Sequence, residues 1–101
     1  MPWRLGRRAG AQSERQILFA ASSYLLDLRI VPQGGLWLIS GQLLGADDGQ
    51  QVELDGPTGT VQATLNQLNE FVLPPSPPGT YTLKLQLTEL DITITGLEIG
   101  G

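Results

Sequence analysis

The chain has 101 residues, 41% hydrophobic and 16% charged, with a formal net charge of −4 and neither Cys nor His. That length suits one domain, the balance is that of a folded chain, and no apolar run approaches the roughly 18 residues needed to span a bilayer. Without Cys there are no disulfides, thiol nucleophiles or thiolate metal sites, and without His the usual base near neutral pH, the usual zinc ligand and the centre of a Ser-His-Asp triad are missing.

Residues 1–15 carry Pro, Gly, Arg, Ser and Gln without periodicity and read as a basic tail. Arg4, Arg7, Arg8 and Arg15 against Glu14 give this segment +3, whereas the remainder is −7. Such a tail reads as a solvated leader. A nucleic-acid arm is a weaker reading, because a few arginines release few counterions and the acidic body opposes them, so no nucleic-acid partner is expected. The arginines are followed by "AGAQSERQ" and not by an apolar stretch with a cleavage site, so no secretory signal is read and a cytoplasmic location, away from membrane, is the expectation.

From Gln16 to residue 100 a single β-domain is expected. "QILFAA" suits a strand or the end of a helix. In "YLLDLRIVP", Leu26, Leu28 and Ile30 alternate with Asp27 and Arg29, as in a half-buried strand that Pro32 should end. "QGG" then makes a short connection to "LWLISGQLL", so the two strands should form an antiparallel hairpin. Both faces of Leu36–Ile39 are apolar. Trp37 and Ile39 are therefore candidate partner contacts on an outer face, although Trp37 filling the core is the plainer reading.

"GADDGQQ" is a turn by composition, and its Asp47 and Asp48 lack the alternating ligands of a calcium loop. "VELDG", the turn "DGPTG" and "TVQATL" predict a second hairpin with Val52 and Leu54 inward. Asn66 and Asn69 both suit left-handed backbone, and "EFVL" is a short strand placing Phe71 and Leu73 on one face. Pro74, Pro75, Pro77 and Pro78 withhold backbone donors, so the chain should cross there from one strand to another without a ladder, and Gly79 should supply the freedom to re-enter. "TYTLKLQL" alternates cleanly, with Tyr81, Leu83, Leu85 and Leu87 inward and the Tyr81 hydroxyl free to find a backbone partner near the corner. "DITITGLEI" puts Ile92 and Ile94 inward, then Leu97 and Ile99 after a break at Gly96.

Short strands about ten residues apart, divided by Gly and Pro turns, mark an antiparallel sandwich or small barrel, and the strict alternation of several strands favours an all-β sandwich of about seven strands. Val52 and Leu54, Gly59, Val61 and Thr64, Phe71, and the ending Pro78-Gly79-x-Tyr81-x-Leu83 together resemble the transthyretin-like, or carboxypeptidase regulatory-like, domain family. The resemblance covers about half of the chain, with Gly41 matching a glycine of the preceding strand. Asn66 and Asn69 depart from it, standing where the family has Asp and Gly, and the "GADDGQQ" loop is shorter. What the resemblance implies is a seven-stranded Greek-key sandwich, Ig-like in outline, from a small bacterial protein with a binding or scaffolding role and no catalysis.

The functional expectation is a non-catalytic module that binds another protein, by edge-strand addition or by homo-oligomerisation, through Trp37, Ile39 or the arginines of the tail, with no cofactor. The alternative is a carbohydrate or small-ligand binding sandwich. An enzyme would have to draw its acid and base from Asp27, Glu53, Asp55, Glu70 and Asp91, which as outward strand positions read better as solvated charge.

Overall fold

In the computed structural model the described residues are 14–21, 23–45, 49–88 and 90–100, and they contain eight strands and no helix. Two antiparallel four-stranded sheets pack face to face. Sheet A has the order β1 (Arg15–Ala21), β2 (Tyr24–Gln33), β3 (Leu36–Leu44), β6 (Glu70–Val72); sheet B has the order β5 (Gly59–Thr64), β4 (Gly49–Gly56), β7 (Gly79–Leu87), β8 (Asp91–Ile99). "QILFAA" is thus a strand, the outermost of sheet A.

The period of two decides which side chains meet. Leu26, Leu28 and Ile30 of β2 face Val52 and Leu54 of β4 and Leu83 and Leu85 of β7 across the sandwich, none more than 2% exposed. Burying each such side chain contributes about 1.5–3 kcal/mol relative to leaving it in water. The core is one cluster that also takes in Phe71, Leu73, Tyr81, Leu97 and Ile99.

The turns follow from the residues that allow them. Gly34 and Gly35, both at positive φ (58° and 85°), make the two-residue connection of the β2–β3 hairpin, whose closing pair is Gln33 and Leu36. Pro57 and Thr58 join β4 to β5 between the paired Gly56 and Gly59. In β8 the register slips at Gly96 (φ 69°), where β8 has one residue more than β7 between the Tyr81–Leu97 and Leu83–Ile94 pairs.

Several local expectations are corrected. Pro32 does not end β2 but pairs with Trp37 inside it. The Trp37 N–H and C=O are both engaged by Ser76, on the side away from β2, so this pair needs no β2–β3 hydrogen bond and the missing donor costs the ladder nothing. The proline corner does not abolish pairing either: Leu73 N–H donates to the Ile39 carbonyl (2.9 Å), and Ser76 exchanges two bonds with Trp37 (2.8 and 2.9 Å), leaving Pro74 and Pro75 as a bulge opposite Leu38. Gly79 is not at positive φ; a Cβ there would lie 3.3 Å from Pro57 Cγ, so closeness to the β4–β5 turn is what favours glycine.

Between the sheets, the corner is closed by a side chain. The Tyr81 ring is buried at the start of β7 and its hydroxyl donates to the Pro77 carbonyl at 2.6 Å. Of the two asparagines only Asn69 is left-handed (φ 58°). Asn66 acts through its side chain, whose Oδ1 accepts from the N–H groups of Leu68 (2.9 Å) and Glu70 (2.8 Å) and shapes the turn into β6.

Candidate functional site

Trp37 and Ile39 are 8% and 0% exposed and belong to the core, which corrects their place as partner contacts. The reason is register. A two-residue turn that pairs Gln33 with Leu36 also pairs Ile30 with Ile39 and Pro32 with Trp37, so Trp37 and Ile39 share the inward face of Ile30 while Leu36 and Leu38 turn outward. Arg4, Arg7 and Arg8 lie outside the described residues, as do Asp47 and Asp48.

The outer faces of the two sheets differ in chemistry. Every outward position of sheet B is polar: Gln51, Glu53 and Asp55 on β4, Thr60, Gln62 and Thr64 on β5, and Thr, Lys, Gln, Asp and Glu on β7 and β8. Side chains tie this face together, with Thr60 bonded to Asp55 (2.8 Å), Gln62 to Glu53 (3.2 Å) and Lys84 3.8 Å from Glu53. Sheet A instead exposes Leu18 (59%), Leu25, Leu36, Leu44 and Val72 (62%). Leu36, Leu38, Val31 and Val72 cluster at the Gly34–Gly35 end; Leu18, Ala20, Leu25 and Leu44 cluster at the other.

A polar belt separates these clusters. One cross-strand row runs Leu18, Asp27, Gln42, Glu70, and the next runs Gln16, Arg29, Ser40, Val72. Over the belt lies an open groove of about 610 Å³, bounded by Asp27, Arg29, Gln42 and Glu70, by Thr64 at the end of β5 and by Asn66 of the β5–β6 connection. Its polar groups hold one another: Gln16 donates to Asp27 (2.9 Å), Arg29 lies 3.5 Å from Glu14, Gln42 donates to the Leu68 carbonyl (3.1 Å) and Asn66 to Glu70 (3.1 Å). The groove floor is thin because Gly41 has no side chain, and the Phe71 ring from β6 packs against it from within.

Of the five carboxylates weighed for acid–base work, only Asp27 and Glu70 share this groove, on either side of Gln42, while Glu53, Asp55 and Asp91 belong to sheet B. Among the described residues no group of three or more His, Cys, Asp or Glu side chains gathers as a metal site, and no helix is long and apolar enough to cross a membrane. Every aromatic ring among them is buried or half-buried. Tyr81 is the group whose titration is displaced: burial pushes its phenol above the ordinary value.

Leu18 and Val72 escaped the sequence reading: alternation from Phe71 places Val72 outward, and Leu18 is outward because the β1–β2 register sets Phe19, not Leu18, opposite the inward Leu26. Comparison with protein-family models, with curated proteins and with solved structures gives no match for this chain.

Proposed function

We propose that this chain is a non-catalytic interaction module that docks another protein on the outer face of sheet A. The observation that carries the reading is the asymmetry of the two faces: one wholly polar, the other exposing five large aliphatic side chains around a polar belt. Exposed apolar side chains gathered into clusters beside polar groups are characteristic of docking surfaces, whereas single exposed apolar residues are commonplace. On this reading the apolar clusters supply the burial and the belt of Asp27, Arg29, Gln42 and Glu70 sets register with the partner.

The carbohydrate-binding alternative is less favoured, because stacking on a sugar needs an exposed ring and the described aromatics are turned inward. The transthyretin-like reading is supported by the Pro78-Gly79-x-Tyr81-x-Leu83 ending and by β4 and β7 lying side by side although β5 and β6 intervene in the chain. A bacterial, cytoplasmic setting is part of the same proposal.

The test is affinity capture from the native cell with three baits: the natural chain, the double variant Leu36→Asp/Val72→Asp, and the sheet B control Thr93→Asp. Loss of a captured protein from the first variant alone supports the reading. Equal capture by all three would falsify it.

A further inference from the structure

We propose that the chain also associates with a second copy of itself through β1, the two β1 strands running antiparallel about a twofold axis at Leu18 and fusing two four-stranded sheets into one. This goes beyond docking on the face of sheet A and stands or falls separately.

Backbone direction alternates along a strand, and the hydrogen bonds of β3 fix that alternation across sheet A. Trp37, Ile39 and Leu43 of β3 bond toward β6 and its flanks, so the even residues of β3 bond to odd residues of β2. The even residues of β2 then serve the odd residues of β1, and the N–H and C=O groups of Gln16, Leu18 and Ala20 face an edge that no other described strand pairs. A twofold at Leu18 sets Leu18 opposite Leu18 of the second copy and Gln16 opposite Ala20. All three outward-facing residues thereby fall into hydrogen-bonded pairs, each exchanging two bonds.

The side chains fit the same axis. Ile17 meets Phe19 of the second copy on the inner side, an aromatic to β-branched pair of the kind that stabilises sheets, and both are only half-buried in one chain. On the outer side Leu18, 59% exposed, covers its own symmetry mate. From Gln16 to Ala20 there is no charge to oppose itself. Behind this edge an apolar cavity of about 180 Å³, lined by Phe19, Tyr24, Leu26, Leu43, Ile92 and Ile94, opens between the sheets.

The other edges are less suited to such pairing. On β6 the edge groups of Glu70 are taken by Asn66 and the strand runs into prolines after three residues. On β8 the Gly96 bulge breaks the line and Arg15 occupies the Glu98 carbonyl (2.9 Å). The β5 edge faces outward with Thr60, Gln62 and Thr64 beside Pro57, with no apolar outward side chain to cover. Of the four edges, β1's is the one that runs regularly over seven residues and carries a large exposed apolar side chain, and such an edge favours pairing.

Light scattering on the full chain at micromolar concentration should give twice the 10.9 kDa of one chain. Leu18→Pro removes a donor that faces the edge and none that faces β2, so it should weaken association by at least about tenfold while the β-sheet circular dichroism persists. Leu18→Lys, which leaves the backbone intact and sets two like charges on the axis, should do the same. Because the chain has no cysteine of its own, Leu18→Cys should oxidise to a linked dimer and Gln16→Cys should not. A monomer at all concentrations, or variants at Leu18 that dimerise like the natural chain, overturns the proposal; equal linking through Gln16→Cys overturns the register.

Discussion

The Tyr81 hydroxyl reaches back four residues to the Pro77 carbonyl, 2.6 Å away, and so fixes the angle at which the chain leaves sheet A for sheet B. The ring fills the core end of the corner while its oxygen satisfies an acceptor that the prolines, lacking N–H groups, cannot serve. Tyr81→Phe keeps the ring and deletes the bond, leaving that carbonyl without this donor. The expected loss is about 1–2 kcal/mol, read as a lower denaturant midpoint at unchanged slope.

The same phenol makes the fold sensitive to alkali. Burial raises its folded pKa above the value of about 10 that it has in the unfolded chain. Between the two values the folded state holds a proton that the unfolded state has released, so stability falls as pH rises. The contribution is whole below about pH 10 and is lost as pH climbs through the folded value. Unfolding free energies of the natural chain and of Tyr81→Phe should therefore converge above that pH; a gap that stays constant would mean the hydroxyl is not buried as described.

Gly41 tests the floor of the groove. A Cβ there would come to 2.8 Å from both the Asp27 carbonyl oxygen and Phe71 Cζ, one of them backbone and the other a packed ring, so neither yields cheaply. Gly41→Ala should cost about 1–3 kcal/mol by overpacking. Pairing the change with Phe71→Leu, which removes the ring from beneath it, should cost less than the sum of the two single changes, a non-additivity that a double-mutant cycle measures directly.

Asn69 carries two separable tasks, a backbone at φ 58° and a side-chain oxygen that accepts from the Gly49 N–H at 3.1 Å. Asn69→Gly keeps the first and gives up the second, for about 1 kcal/mol. Asn69→Ala gives up both and should lose roughly 1 kcal/mol more, since an alanine is strained in the left-handed region. Thermal unfolding should rank the natural chain above the glycine variant and that above the alanine variant.

Most of this architecture was legible because it rests on alternation. "YLLDLRI" and "TYTLKLQL" each have one apolar face, and β2 and β7 bury the residues that alternation assigns; the Tyr81 hydroxyl finds a backbone partner at the corner as its position implied. What alternation does not show is which neighbours a strand keeps. The prolines after Leu73 hid the bridge through Ser76, because a donor between prolines looks isolated until β3 lies beside it. In "LWLI" every residue is apolar, so the pattern itself is silent on which face is wet. Only the two-residue Gly34–Gly35 turn, which ties Trp37 to the parity of Ile30, resolves it, and that moved the candidate surface from Trp37 and Ile39 to Leu36, Leu38, Val72 and Leu18.

Adjacent residues of β3 should accordingly behave as opposites. Trp37 is 8% exposed and sits in the core beneath the Pro-rich corner, where Gly100 leaves room for its indole: a Cβ on that glycine would come within 2.7 Å of Nε1. Trp37→Ala should open a cavity and cost about 3–5 kcal/mol. Leu36 is 39% exposed on the outer face, and Leu36→Ala should change stability by no more than about 0.5–1 kcal/mol, in the range of ordinary surface changes. Urea unfolding of the two variants gives the answer, and a Leu36→Ala loss as large as that of Trp37→Ala would reverse the assignment of inner and outer faces on which the docking surface depends.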